Sequence, residues 1–103
     1  ADVNVKKTPD SITALCIASG QGHSEVVKLL LDKGANVNVK RTDSGTTALF
    51  QASQNGHTEV VKLLLAKGAD VNAKDNEGRN AISYAAEKGH KDIIQYLRLK
   101  GAK

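Results

Sequence analysis

The sequence has no tryptophan, no methionine, one cysteine and one proline, and its aromatic content is only 3%. A core without large rings has to be assembled from Ala, Val, Leu and Ile, close-packed rather than hung on a few bulky anchors. The lone Cys16 can form no internal disulfide, and no leader pattern opens the chain. Together these set the expectation of a reducing compartment, cytoplasmic or nuclear. Long apolar runs are also missing: Val26-Val27 and Leu29-Leu30-Leu31 are interrupted by Lys28 and Asp32. A helix crossing a bilayer needs roughly 20 apolar residues, so no membrane partner is expected. The chain has 103 residues, 40% hydrophobic and 25% charged, which suits one folded domain or a short repeat array and argues against disorder. Fifteen basic against eleven acidic residues leave a net charge of +4. That surplus would attract an acidic partner without identifying one.

What the chain does have is an internal repeat. Thr13-Ala14-Leu15 returns as Thr47-Ala48-Leu49 and, degenerately, as Asn80-Ala81-Ile82, at spacings of 34 and 33. Gly22-His23, Gly56-His57 and Gly89-His90 keep the same spacings, as do Gly34-Ala35, Gly68-Ala69 and Gly101-Ala102. A fixed period of this length is the signature of a stacked array. In the middle unit Thr47 is a suitable N-cap for a short helix that Asn55-Gly56 ends. A second helix carries Glu59-Val60-Val61-Lys62-Leu63-Leu64-Leu65, with an acidic start and a basic end at Lys67 that suit its dipole. Gly68 closes it, and Ala69-Asp70-Val71-Asn72 leads into a polar loop. Helices this short are unstable in isolation, so the units must stack, burying Leu15, Leu49 and Ile82 with the Val/Leu faces of the second helices. Leu63 is expected in that core.

Residues 47–74, TALFQASQNGHTEVVKLLLAKGADVNAK, closely resemble the ankyrin repeat, and the resemblance extends over essentially the whole chain. It implies an all-α solenoid of helix-turn-helix units joined by hairpin-like loops, as a single domain. The units fall at about 5–38, 39–72 and 73–103, with residues 1–4 as the tail of a preceding repeat. The family's proline at the first helical position is Ala14, Ala48 and Ala81 here, which preserves the helix. The family's histidine after it, which hydrogen-bonds between repeats, is replaced by Cys16, Phe50 and Ser83. Stability is therefore expected to lean on apolar stacking. Near Ser11 and Ile12 the loop glycine is missing, so the first loop is expected to be irregular. Arg98 stands where Leu31 and Leu65 stand in the other units, which reads as a polar cap. The first unit has no such feature. We read the chain as the C-terminal part of a longer array; a self-contained array, paired or exposed at its N-terminal edge, and an engineered repeat protein are the alternatives.

No reaction centre emerges. The three histidines recur one per unit, and helices packed about 8–10 Å apart cannot bring such a ladder around one zinc ion. Cys16 and His23 lack an oxyanion hole or an orienting acid. Gly20-Gln21-Gly22 falls at a helix break rather than forming a phosphate cradle. Glu25, Glu59 and Asp92 each open a second helix, a dipole role. The expectation is a non-enzymatic protein with no cofactor, no catalytic residue and no metal. Asn38 and Asn72 read as turn residues bonding their own backbone. The family resemblance also marks Asn72 as a candidate for asparagine hydroxylation where the source organism has that enzyme.

The resemblance places partner binding on the loop tips and the first-helix face, a concave groove. Carried onto this sequence, the candidate partner-binding residues begin with Lys6, Lys7, Ile12 and Gln21 in the first unit. Lys40, Arg41, Thr46, Gln51, Gln54 and Asn55 follow in the second, and Lys74, Asn76, Glu77, Arg79, Tyr84, Glu87 and Lys88 in the third. The loop cations Lys6, Lys7, Lys40, Arg41, Lys74 and Arg79 would stack as a basic stripe, to which an acidic protein or peptide fits best. Solvated loop lysines are the plainer alternative. Nucleic-acid or other polyanion binding is the runner-up, but Phe50, Tyr84 and Tyr96 are too few for stacked bases. A purely structural scaffold is the third reading. A monomer is expected, or a pair joined through the N-terminal edge.

Overall fold

The computed structural model describes the backbone of residues 9–41 and 44–101, and side chains from residue 14 within those spans. Six helices follow in order: α1 Pro9–Gln21, α2 Ser24–Asp32, α3 Ala48–Gln54, α4 Thr58–Ala66, α5 Ala81–Glu87 and α6 Lys91–Leu99. No strand occurs among the described residues. The helices form three antiparallel pairs. An inner row, α1, α3 and α5, runs beside an outer row, α2, α4 and α6, and each helix packs on its row neighbours and on its pair mate. The inner row is the more closely packed, because its facing residues, Ala18, Ala48, Ala52, Ala81 and Ala85, are small and at most 5% exposed. Val27, Leu31, Val60, Val61, Leu64, Ile93 and Leu97 fill the space beneath the outer row, in one continuous core with Leu15 and Leu49. Phe50 is fully buried and meets the Tyr84 ring edge-on, with centroids 5.0 Å apart.

Local signals end the helices where the repeat places them. Each inner helix closes with a glycine at positive φ, and the next residue's N–H reaches back to a carbonyl five residues earlier: His23 to Ala18, His57 to Ala52, His90 to Ala85. This closure uses carbonyls the helix end would otherwise leave unpaired. Thr47 occupies the N-cap of α3 with extended backbone but makes no side-chain cap bond. Asn80 does cap α5, its Oδ1 accepting from the Ser83 N–H at 2.9 Å.

Three expectations change. The α1 helix is thirteen residues long, against seven for α3 and α5. Ser11 and Ile12 lie inside it rather than in an irregular loop, and Ala14 is not its first residue. Pro9 at its first position explains the earlier start, since a residue without an N–H is suited to a helix N-terminus. Leu63 is only half-buried; the fully buried leucine of α4 is Leu64. Unexpectedly, Ser19 and Ser53 are buried with no hydrogen-bond partner for either hydroxyl. They occupy equivalent places in α1 and α3, and the third unit has Ala86 there.

Leu64→Ala should lower stability by about 2–5 kcal/mol, and Leu63→Ala by clearly less. Ser53→Ala should leave stability unchanged or raise it by about 1 kcal/mol, because it removes a buried hydroxyl that nothing satisfies. Urea unfolding of the three variants checks both; a Ser53→Ala protein less stable than the parent would contradict the second.

Candidate interaction surface

The loops between pairs are tied to each other. Asn76 donates its backbone N–H to the Ser44 carbonyl at 2.9 Å, and Lys40 Nζ donates to the Lys74 carbonyl at 2.9 Å. Within the second and third loops two backbone bonds close the turn: Arg41 N–H to Thr46 O and Asp75 N–H to Arg79 O, each 2.8 Å, and Gly45 N–H to Arg41 O at 2.7 Å and Gly78 N–H to Asp75 O at 3.0 Å. On the side of the outer turns, Asn38 clamps two units together. Its Nδ2 donates to the Gly68 carbonyl at 3.0 Å and its Oδ1 accepts from the Asp70 N–H at 2.7 Å. Asn72 repeats the first contact, donating to the Gly101 carbonyl at 3.2 Å. These asparagines reach across to the next unit, not into their own turn as expected. Asn36 and Asp70 hold the turns instead, accepting from the N–H groups of Asn38 and Asn72.

Histidines complete the ties. His57 Nε2 donates to the Gly20 carbonyl at 2.9 Å, and His90 Nε2 to the Gln54 carbonyl at 3.0 Å. A carbonyl only accepts, so this nitrogen carries the proton. Asn55 Nδ2 adds a second bond to Gly20 O at 2.8 Å. A Cβ on Gly22 would lie 2.6 Å from His57 Nδ1, and one on Gly56 2.8 Å from His90 Cε1. Those two glycines are required twice over, for positive φ and for the ring laid against them. An inter-repeat hydrogen-bond network therefore exists, built from the Gly-His histidines rather than from the position that Cys16, Phe50 and Ser83 occupy.

The third loop has an ionic centre. The Asp75 carboxylate is almost wholly buried and accepts from the N–H groups of Glu77 and Arg79, from Arg79 Nε at 3.1 Å and from the Tyr84 hydroxyl. Arg79 lies over the Tyr84 ring, 4.9 Å from its centroid, and also pairs with Glu77 at 3.1 Å. Burial pushes the Asp75 pKa up, but the Tyr84 hydroxyl, the two backbone N–H groups and the Arg79 charge outweigh it and hold the pKa down at about 2. Burial pushes the Tyr84 phenol up to about 12, and its bond to Asp75 and that carboxylate's charge act in the same direction. The Arg79 pKa is lowered by burial and raised on balance by Tyr84, Asp75 and Glu77.

These contacts sort the sequence candidates. Gln21, Lys40, Asn55, Lys74, Asn76, Glu77, Arg79, Glu87 and Lys88 are exposed, and Arg41, Gln51 and Gln54 are half-exposed. Thr46 and Tyr84 are buried, 2% and 8% exposed, and do not line the surface. Thr46 packs at the loop base and exchanges a hydrogen bond with Ser44 at 2.8 Å. Tyr84 belongs to the Asp75 cluster. Arg79 is held by two carboxylates and is no freely offered cation. Lys6 and Lys7 lie outside the described residues, as does the Ile12 side chain. The missed residues are His57, His90, Asn38 and Asp75. The period of the Gly-His pairs was the available signal for the histidines; which carbonyl each meets depends on packing.

Helix pairs stacked in register, with Gly-His seats between them, define a repeat solenoid. Two family models match the chain: one described as ankyrin repeats in three copies, over residues 1–75, and one described as ankyrin repeat, over residues 77–103. The chain belongs to the ankyrin-repeat family, whose members in general act as non-enzymatic protein–protein interaction modules. No curated protein matches it. Among the described residues, no helix is long and apolar enough to cross a membrane.

The acid limb of stability follows from Asp75. Its folded pKa lies below the ordinary 3.8, so its contribution is fully present above about pH 4 and is lost as pH falls through about 2. Tyr84→Phe removes a hydrogen bond to the ionised form, so the loss should begin at higher pH than in the parent. Thermal midpoints between pH 2 and 5, spanning the folded value of about 2 and the ordinary 3.8, check this; superimposable acid profiles would contradict it.

Proposed function

We propose that this chain is a non-enzymatic binding module that takes an extended segment of a partner protein on the surface formed by its inner-helix ends and loop tips. The carrying observation is the set of cross-repeat hydrogen bonds that fixes this surface before any partner arrives. Gly20 O receives Asn55 and His57, Gln54 O receives His90, and the second and third loops are joined by Asn76 and Lys40. A surface already ordered loses little entropy on binding. Gln51 Nε2 lies 3.5 Å from Thr46 Oγ1, so the helix face continues into the loop base without a gap.

The chemistry of the surface is amide-rich. Gln21, Gln51, Gln54 and Asn55 each carry both donors and acceptors, which suits the backbone of an extended peptide. Exposed Lys40 and Lys74 add positive charge beside them, favouring an acidic segment and faster encounter. The steering is weaker than six loop cations would give, since Arg79 is neutralised within its own loop. A cytoplasmic or nuclear setting fits this reading and the single cysteine.

Affinity capture from lysate tests the proposal. Gln51→Glu/Gln54→Glu/Lys74→Glu should lose the specifically captured protein, whereas Lys28→Glu/Lys62→Glu on the outer helix row should retain it. Both variants should melt within a few degrees of the parent, because all five positions are at least half-exposed. Loss confined to the outer-row variant would move the site to the opposite side of the stack.

A further inference from the structure

The three inner helices close on Gln21-Gly22, Asn55-Gly56 and Lys88-Gly89, so only the middle one ends with asparagine followed by glycine. Every other asparagine of the chain precedes Val, Ala or Glu. The pairing has a chemical consequence, because an asparagine amide is an electrophile for the backbone nitrogen of the next residue. A side chain on that residue crowds the five-membered ring that the attack forms, and glycine has none.

The structure adds a second, independent observation. Gly22 and Gly89 donate their backbone N–H groups to the Ser19 and Ala86 carbonyls, at 3.3 and 3.1 Å. Gly56 makes no such bond, and no carbonyl among the described residues receives its N–H. The nitrogen is therefore unengaged at the one closure where an asparagine amide stands beside it. Asn55 is exposed, and Gly56 borders a polar cleft with Thr58, Lys91 and Asp92 that admits water. Asn55 has ψ 4°, so the Asn55–Gly56 peptide plane has to turn before the nitrogen meets the side chain. Turning it costs that nitrogen no hydrogen bond. The restraint is the Asn55 side chain, whose Nδ2 donates to the Gly20 carbonyl at 2.8 Å. Release from Gly20, a local opening of the first junction, sets the pace.

We propose that Asn55 is a site of spontaneous deamidation, and that its conversion loosens both junctions of the middle pair. The Gly56 nitrogen loses its proton to solvent base and attacks Asn55 Cγ. The N–Cγ bond forms, the Cγ–Nδ2 bond breaks, and Nδ2 takes a proton from water and leaves as ammonia. The cyclic imide then takes up one water. Opening at Cγ gives aspartate. Opening at the main-chain carbonyl gives isoaspartate, in which the chain runs through Cβ and Cγ and is longer by one methylene. The sum exchanges ammonia for water and needs no other reactant. Neither product keeps an N–H for the Gly20 carbonyl, since a carboxylate only accepts. Isoaspartate also displaces Gly56, on which the His90 ring rests so closely that a Cβ there would lie 2.8 Å from Cε1. The His90 bond to the Gln54 carbonyl depends on that seat. The added negative charge would also disfavour an acidic partner; that consequence rests on the function proposed above, whereas the chemistry and the loosening do not.

The test holds the full chain folded at neutral and mildly alkaline pH and maps its peptides by mass spectrometry. Aspartate and isoaspartate should appear together at Asn55, about tenfold or more faster than at any other asparagine, and faster at the higher pH. Asn55→Gln should show no conversion at that position on the same timescale. Made directly, Asn55→Asp should quicken amide exchange in α1 by about threefold or more, through loss of the bond to Gly20. Conversion in urea but none in the folded chain overturns the proposal, as does conversion no faster than at Asn72 or Asn76. Aspartate without isoaspartate overturns the cyclic step. An Asn55→Asp chain that exchanges like the parent overturns the loosening.

Discussion

Everything in this fold depends on helices that cannot stand alone. The inner helices α3 and α5 have seven residues each, well short of the roughly 12–15 at which an isolated helix becomes even marginal in water. Their stability has to come from neighbours, and the neighbour contact is centred on the Gly-His seat. Gly22 ends α1 in the left-handed region and, lacking a Cβ, leaves room for the His57 ring; that ring donates to the Gly20 carbonyl. One dipeptide therefore closes its own helix and docks onto the previous one. Because Gly56 and His90 repeat the arrangement, register passes from each pair to the next through contacts between adjacent pairs.

The same economy shapes the surface. Side chains that a charge count would offer to a partner are partly used to hold the loops. Arg79 is engaged by Asp75, Glu77 and the Tyr84 ring, and Lys40 reaches the Lys74 carbonyl. The Asp75 cluster shows why such use is favourable: a buried carboxylate is tolerable only when its acceptor sites are filled, and here two N–H groups, a guanidinium and a hydroxyl fill them. Among the described residues the result is a less charged but better ordered candidate surface.

The fold was legible because its signals are local and periodic. Three markers at spacings of 34 and 33 fix the helix pairs, and Gly56 and Gly68 mark helix ends whose chemistry needs no tertiary knowledge. Ala14 was expected at the first helical position, but α1 begins earlier, at Pro9, so the family register did not give this helix's start. Leu63 misled for another reason: a run of three leucines does not say which faces inward, and a 100° step separates burial from half-burial. The candidate site was less legible. Thr46 and Tyr84 vary between units as binding residues do, yet variation also marks a residue recruited to a local network. Tyr84 varies because only the third loop has Asp75 to receive its hydroxyl; the second loop carries Arg41 at that place.

The ends of the array show what the middle conceals. The two faces of a pair differ, one offering the histidine and the other the glycine and carbonyl that receive it, and each is apolar or polar according to what it must meet. Ile94 and Arg98 hold the positions that Val27 and Leu31 hold in the first pair, and the replacement of leucine by a cation turns a stacking face into a solvated one. Val26, Leu29 and Leu30 show no such conversion. Since each pair is stabilised chiefly by its neighbours, the middle pair, covered on both sides, is the best ordered platform, and the candidate residues it carries, Gln51, Gln54 and Asn55, are held from both directions. The first pair is covered on one side only, with Val26 and Leu29 exposed, so Ile17 and Gln21 stand on a less firmly held platform.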